Sequence, residues 1–597
     1  MKVKNSFSNQ IENFPDSELL TVYICGPTVY NTSHLGHART YLTFDIIRRI
    51  LEQVFGRTVV YQMNITDIDD KIITRSNELQ ISALELARKY EALFLKDLEA
   101  LNIQQPTAIT RVTECIPEIV AFVQQIMDNG YAYASNGSVY FDTAAFSQKF
   151  QYPKLRYLTA ESQQELLTQA EGVSMKNRTE EKKCPSDFAL WKAAKPGEPA
   201  WPSPWGEGRP GWHIECSVMS DLFLLKKFNS FDLHLGGKDL QFPHHANEVA
   251  QLEAYYQKSD LIKYFMHSGH LRIDNEIMSK SKMNFKTIQD VLQQFTPNQL
   301  RILFLQVDYA SDINYSAAQL ENAVLLDKKI CAFLANAALG EAPQPPYLAP
   351  EDVAILQQIV EIQLGMKHCY AADFDYPGAF KLLLGFLEGV KQYQNQNKEA
   401  KAYVVKQAAA FVQKQLEILG LVFAKAKEGQ TRQLAELISQ FRQQVKQTAT
   451  APRDGPIEAQ LKAQKMELLR ICDQLRDEQL VQFGYLIEDH GADSVVKEVN
   501  YEEFLKNKQR EELLKQEKLE KVRQQNAEKQ RKLDEEKELA KIPAEKMFLG
   551  AEFTAWDEKG IPTKQIVEGV EEEVPKSKVK KMQKEWEQRK KLNEKYK

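Results

Sequence analysis

The run Thr21-Val22-Tyr23-Ile24-Cys25 is apolar, and Gly26-Pro27 breaks it at once. A short apolar run closed by Gly-Pro reads as a buried strand. From His34 to about Phe55 the pattern turns helical, with Leu42, Ile46, Ile47, Ile50, Leu51 and Val54 on one stripe. Ser33 is the expected N-cap. The stretch RTVVYQMNIT then reads as a second strand. Strand, helix, strand is the opening of a parallel sheet, because parallel neighbours need a crossover between them. The fold expected is therefore α/β, with ligands at the edge where strand C-terminal ends meet the next loops. NITDIDDKIITRS (64–76) sits at that edge.

The rest of the 597 residues divides by pattern. Residues about 112–203 break the rhythm and read as an insertion, polar and partly mobile between about 159 and 187. FDLHLGG (231–237) reads as a strand and turn, and PHHANEVAQLEAYY (243–256) as a helix begun by its proline. From about 320 to 430 the stripes are helical, and 457–500 forms a smaller unit. Residues 501–541 are so rich in charge that a solvated helix or weak coiled coil is expected, and 576–597 is locally basic. A net charge of −5 gives no global basic field, so any nucleic-acid partner needs local patches. No apolar run reaches about 18 residues, so no membrane span is expected. The N-terminus lacks an apolar signal core. Seven scattered cysteines read as reduced thiols in a cytosolic protein. Of ten histidines, only His368 and His490 lie beyond residue 270, so the first half carries the chemistry.

Three groups of residues suggest sites. His34-Leu35-Gly36-His37 falls on the first turn of the expected helix, where free N–H groups and the helix dipole suit phosphate. Gly36 allows close backbone approach. Capping or core histidines are the plainer reading of that motif by itself. NEIMSKSKMNF (275–285) is a polar loop whose Ser279, Lys280, Ser281 and Lys282 suit a triphosphate. Third, Cys25, Cys216 and a His–Glu pair offer zinc donors. His244 and Glu248, four apart, share a helix face, and His245 with Glu248 is an equal geometric alternative.

His34–His37 with the later loop resembles the two signatures of class I aminoacyl-tRNA synthetases, written HIGH and KMSKS. The second reads here Ile277-Met278-Ser279-Lys280-Ser281, with isoleucine at the first lysine. CGPTVY, HLGH, NITDIDDKI, GWHIECS, GGKDLQFPHHANEVAQ and MSKSKMN occur in the order seen in cysteinyl-tRNA synthetases. The resemblance covers about 20–110 and 185–320 closely and the helical half more loosely. It implies a Rossmann-like catalytic domain over 1–320, a helical bundle over 321–430 and an anticodon-binding region over 431–500. A charged extension of the eukaryotic cytosolic type would fill 501–597.

The activity implied is ATP-dependent ligation of L-cysteine to tRNA(Cys) through cysteinyl-adenylate. One zinc ion per chain, on Cys25, Cys216, His244 and Glu248, would select the cysteine thiolate. Gly26, Thr28, Thr66, Trp212 and His234 would form the cysteine pocket. His34, Gly36, His37, Ser279 and Lys280 would bind ATP with its Mg2+, and His34, His37 and Lys280 would be catalytic. A cytoplasmic enzyme without a membrane is implied. The competing readings are a ligase of cysteine to an amino-sugar and an inactive RNA-binding paralogue.

Overall fold

The structure is a computed structural model. It describes residues 1–155, 181–211, 213–273, 276–277, 286–337, 344–396, 402–423, 438–446, 458–490, 493–499, 501–550, 552–567 and 569–596. Two compact units result, Met1–Lys506 and Asn507–Lys597.

In the first unit five strands make one parallel sheet. They are β1 (Leu19–Ile24), β2 (Thr58–Ile65), β3 (Ala108–Arg111), β4 (Phe231–Gly237) and β5 (Ile262–Ser268). Their order is β5-β4-β1-β2-β3, with every pair parallel. β1 is buried from Leu20 to Ile24, as a strand covered on both faces must be. Helix α1 (Leu35–Gln53) carries the chain from β1 to β2 on one side, while β4 pairs with β1 on the other. The chain diverges between β1 and β4, which opens a crevice at their C-terminal ends.

The start of α1 differs from expectation. His34, not Ser33, is the N-cap. The His34 ring accepts the Gly36 N–H at Nδ1 (3.1 Å), and the His37 ring accepts the His34 N–H at Nδ1 (3.3 Å). An imidazole with an unprotonated nitrogen satisfies an orphan helix donor as a serine oxygen does. Ser33 lies one residue too early, and its carbonyl accepts the Ile288 N–H at 3.1 Å.

The described parts of 112–203 are more regular than their sequence suggested. A helix spans Ile116–Asp128. Ala132–Ser135, Ser138–Phe141, Phe188–Ala193 and Gly208–Pro210 form an antiparallel sheet in that order. Arg209 (2.6 Å) and Lys192 (3.2 Å) pair with Asp70 and so tie this sheet to the start of the helix Asp70–Leu79 that follows β2. Most of the polar stretch, 156–180, lies outside the described residues.

Two shorter helices follow, α2 (Ile214–Ser220) and α3 (Ala246–Tyr256). Pro243 does not open α3: it belongs to a separate turn, Gln241–His245, in which Phe242 is extended. Beyond the sheet come long helices over Ala317–Ala337, Pro350–Ala371, Tyr376–Gln396 and Ala402–Ile418. Their end is anchored to α1 by Arg301. Its buried guanidinium pairs with Asp45 of α1 (2.7 Å) and donates to the carbonyls of Leu101 (3.0 Å), Asn102 (2.9 Å) and Leu419 (3.3 Å). A buried charge so fully bonded is costly to break, about 3–5 kcal/mol when one partner is removed. Glu458–Gln474 and a hairpin of Tyr485–His490 with Asp493–Glu498 follow.

The second unit holds more than the expected charged helix. Strands Phe553–Trp556, Pro562–Val567 and Val570–Glu573 form an antiparallel sheet. The helix Lys576–Lys595 closes on it through Val579, Met582 and Trp586, which pack with Phe553, Ile561 and Val574.

Candidate active site

Cys25 follows β1 directly, at the crevice between β1 and β4. Its Sγ lies 3.4 Å from His244 Nε2, 3.4 Å from His245 Nε2 and 3.7 Å from Glu248 Oε1. Glu248 stands in the first turn of α3, and His244 and His245 end the turn before it. His244 Nε2 is 3.0 Å from Glu248 Oε1. Cys216 reaches the same point from α2. The donor atoms of Cys25, Cys216, His244 and Glu248 all lie within 4.8 Å of one another, and all four residues are buried. These are the four expected ligands, brought together from the end of β1, α2 and α3. Such a set could hold a metal ion.

A second set meets the same criterion: Cys25, His234, His245 and Glu248. His234, on β4 and expected in the cysteine pocket, places Nε2 at 2.8 Å from Glu248 Oε2. Two further histidines had no role assigned from sequence. His213 Nδ1 contacts His244 Nδ1, and His267 Nε2 lies 2.8 Å from His245 Nδ1. The available signal was position: His213 stands inside GWHIEC, and His267 at the end of an apolar strand.

The electrostatics follow from burial. Burial lifts the Cys25 thiol well above its usual range, and Cys216 and Glu248 add to this. Burial also opposes ionisation of Cys216, but the Cys25 hydrogen bond and the charge on His244 bring it to about 6. The two thiols thus share one proton. Burial works against the Glu248 carboxylate too, yet His234 and His244 draw it to about 2. Burial holds His245 and His213 well below the usual imidazole range, and His267 at about 3. The Glu248 carboxylate and the ionised Cys216 set two negative charges against the one positive charge on His244, an imbalance that a further cation relieves. Two sulfurs, an imidazole nitrogen and a carboxylate oxygen are donors that zinc accepts. The residues therefore fit a divalent ion of that kind.

Next to the cluster, the Gly26 N–H donates to Asn64 Oδ1 at 2.8 Å. A Cβ at Gly26 would fall 1.6 Å from the Asn64 carbonyl oxygen, so no side chain fits. Thr28 and Thr66 face each other across a parallel bridge. Gly26, Thr28 and Thr66 thus line the ends of β1 and β2 together. Trp212 lies outside the described residues.

The His34 turn is adjacent. Tyr41 of α1 donates to the Cys25 carbonyl at 3.2 Å. The His34 and His37 rings stack at 3.8 Å and 19°. Burial, with His34 close by, holds His37 well below the usual imidazole range. A Cβ at Gly36 would meet the His34 ring at 2.8 Å, so the capping geometry needs glycine. Ser279 and Lys280 lie outside the described residues. The segment just after them is bound to this turn: Leu35 N–H donates to the Lys286 carbonyl (3.1 Å), and His34 bridges Thr287.

Comparison with known proteins gives this geometry a context. Residues 12–325 match the family described as tRNA synthetases class I (C) catalytic domain. The cytoplasmic cysteine–tRNA ligase of Dictyostelium discoideum is 40% identical, over 97% of this chain and 88% of its own. The cysteine–tRNA ligase of Encephalitozoon cuniculi is 37% identical, over 83% of this chain and 99% of its own. The human cytoplasmic cysteine–tRNA ligase is 34% identical, over 99% and 94%. Among solved structures, a Mycobacterium tuberculosis methionyl-tRNA synthetase with methionyl-adenylate superposes with a TM-score of 0.52 at 15% identity. The match covers 68% of this chain and 90% of that one, which supports the Rossmann-like α/β fold. At this identity and coverage, the chain belongs to the cysteine–tRNA ligase family of class I aminoacyl-tRNA synthetases.

Proposed function

We propose that this chain joins L-cysteine to tRNA(Cys), with ATP consumed through a cysteinyl-adenylate. One observation carries the reading. Cys25 of the thiol-rich cluster and the His34 turn stand on one strand–loop–helix unit, joined by the Tyr41 bond to Cys25. An amino-acid selector beside a phosphate site is what adenylation of cysteine needs. Relatives named cytoplasmic set the expected compartment. No helix among the described residues is long and apolar enough to cross a membrane.

Cys25, Cys216, His244 and Glu248 would hold the zinc ion. When bound, zinc supplies a Lewis acid that favours a substrate thiol over a serine hydroxyl. A plain apolar pocket separates such near-isosteres by only about a hundredfold. His234 and His245 would orient the ligands by hydrogen bonding, and Gly26, Thr28, Thr66 and Trp212 would shape the cysteine pocket. At the phosphate side each histidine accepts a backbone N–H at Nδ1. In a neutral ring the proton then sits on Nε2, which becomes a donor for phosphate oxygen. Burial, with His34 close by, keeps the His37 ring neutral, so its Nε2–H is a donor. Preorganised donors aimed at developing charge are the main source of rate here. Lys280 and Ser279 would complete this site, with Mg2+ on ATP.

The domain roles extend the same reading. Residues 1–320 would be catalytic with the insertion at about 112–203, 321–430 the helical bundle, 431–500 the anticodon region and 501–597 the extension. The test is charging of total tRNA with labelled cysteine, with serine and methionine as controls and a chelated sample in parallel. Cysteine-only charging, abolished by chelation, is expected. Cysteine-dependent pyrophosphate exchange without charging would point to another acceptor.

A further inference from the structure

Cys25 and Glu248 each face imidazoles on two sides. The Cys25 Sγ stands 3.4 Å from His244 Nε2 and 3.4 Å from His245 Nε2, so the sulfur is shared evenly. The Glu248 carboxylate divides in the same way. Its Oε1 lies 3.0 Å from His244 Nε2, and its Oε2 lies 2.8 Å from His234 Nε2. Cys216 and His244 complete one donor set on this shared pair. His234 and His245 complete another, its donor atoms also within 4.8 Å of one another. Tetrahedral zinc, with bonds of about 2.0–2.3 Å, holds its donors about 3.3–3.7 Å apart. The Cys25–His245 spacing falls in that range as the Cys25–His244 spacing does.

The far side of each ring supplies an independent observation. A metal-bound histidine generally gives its other ring N–H to an acceptor, which fixes the tautomer and aims the free nitrogen at the ion. His244 Nδ1 contacts His213 Nδ1, and His245 Nδ1 lies 2.8 Å from His267 Nε2. The two neighbouring histidines are thus backed alike, each by a further imidazole. With its proton on Nδ1, His245 presents an Nε2 lone pair to Cys25. His234 Nδ1 is buried with no hydrogen-bond partner among the described residues. Freeing His234 Nε2 for a metal therefore breaks only its bond to Glu248, which the ion replaces.

Charge admits a second cation. Thiols on zinc are deprotonated, so two thiolates and one carboxylate set three negative charges against the two of one ion. A second divalent ion then meets a site that is still anionic. The two oxygens of a carboxylate have lone pairs enough for two ions.

We propose that Cys25, His234, His245 and Glu248 form a second zinc position, which shares Cys25 and Glu248 with the first and fills when free zinc is in excess. It is the weaker position, because the first has a thiolate of its own in Cys216 and the second has only the shared sulfur. Filling it turns His234 from a group of the cysteine pocket into a metal ligand, so excess zinc opposes cysteine binding. That consequence rests on the ligase reading, whereas the position itself does not.

The experiment uses the full chain and zinc alone. The chain is dialysed to equilibrium against buffers of graded free zinc, and bound metal is counted by elemental analysis. The expected curve has a tight step at about one ion per chain and a second step, at least about tenfold weaker, that ends at about two. His245→Gln and His234→Gln should each keep the first step and lose the second. In cysteine-dependent pyrophosphate exchange, the KM for cysteine should rise through the second step in the wild-type chain and stay level over the same zinc range in His245→Gln. A single step in the wild type overturns the proposal. So does a second step that survives in either variant, because the extra ion then sits elsewhere on the chain. Loss of both steps in both variants overturns it as well, since the rings would then serve one site. If one variant loses both steps, the other decides. Two steps in a chain without exchange activity would remove the ligase reading and leave the second position standing.

Discussion

The cysteine cluster and the His34 turn are neighbours built by opposite means. The cluster draws on the end of β1, β4, β5, α2 and α3, and its donors are buried. The turn is local: His34, Gly36 and His37 hold one another through their own backbone, half-buried at the head of α1. Buried titratable groups from distant segments are stable only when their charges balance, so the cluster is rigid and intolerant. A helix N-terminus carries its own donors and dipole, so the turn's capping bonds form locally, and Lys286 and Thr287 fasten it from outside. The two sites should therefore fail separately, and mutation can show whether they do.

The largest effect is expected at Glu248. Glu248→Gln removes the buried carboxylate but keeps its size. Losing one member of a buried charge set costs about 3–5 kcal/mol, or about two to four orders of magnitude in an equilibrium. Metal content by elemental analysis should fall to background, and cysteine-dependent exchange with it, while ATP-analogue binding persists. Loss of ATP binding as well would show that the two sites are one structure.

His37→Ala tests the other side. Removing one preorganised donor costs about a hundred- to a thousandfold in rate. Exchange should drop by that order with metal content and the KM for cysteine unchanged. A metal-depleted His37→Ala protein would contradict the separation drawn above.

A smaller effect distinguishes the two overlapping donor sets. His244 belongs to one and His245 to the other. With zinc on Cys25, Cys216, His244 and Glu248, His244→Ala should empty the site. His245→Gln should weaken metal affinity only about ten- to a hundredfold, as loss of an orienting partner does. Chelator competition measures both. The reverse ranking would assign the ion to His234 and His245.

These contrasts also explain what was legible in the sequence. β1, α1 and β2 could be read because a buried parallel strand is a continuous apolar run and a covered helix keeps its stripe. The metal set could be listed, but not chosen over its His245 alternative, since His244 and His245 each stand within four residues of Glu248. His213 and His267 drew no role because their partners, His244 and His245, are far away in sequence. The cap was misplaced at Ser33 because propensity ranks serine first, whereas the reciprocal bonds of His34 and His37 depend on ring tautomers. The strands at 553–573 were missed because Glu571, Glu572 and Glu573 make the edge strand look like solvated chain.

The smallest effect concerns Ile277, where the family signature has lysine. Ile277 pairs with Arg272 in a short antiparallel bridge, so its backbone is set by the strand and not by a ligand. The far end of the same loop is bound to α1 through Lys286 and Thr287. Both ends are thus anchored whichever residue stands at 277, and the His34 turn keeps its donors. A lysine restored there adds one charge, and an ordinary surface ion pair contributes about 1 kcal/mol at most. Ile277→Lys should lower the KM for ATP less than about fivefold and leave metal content and the KM for cysteine untouched. A much larger gain would mean that the phosphate side, unlike the reading above, is incomplete without help from the loop. The contrast would then lie between a finished buried site and an unfinished exposed one.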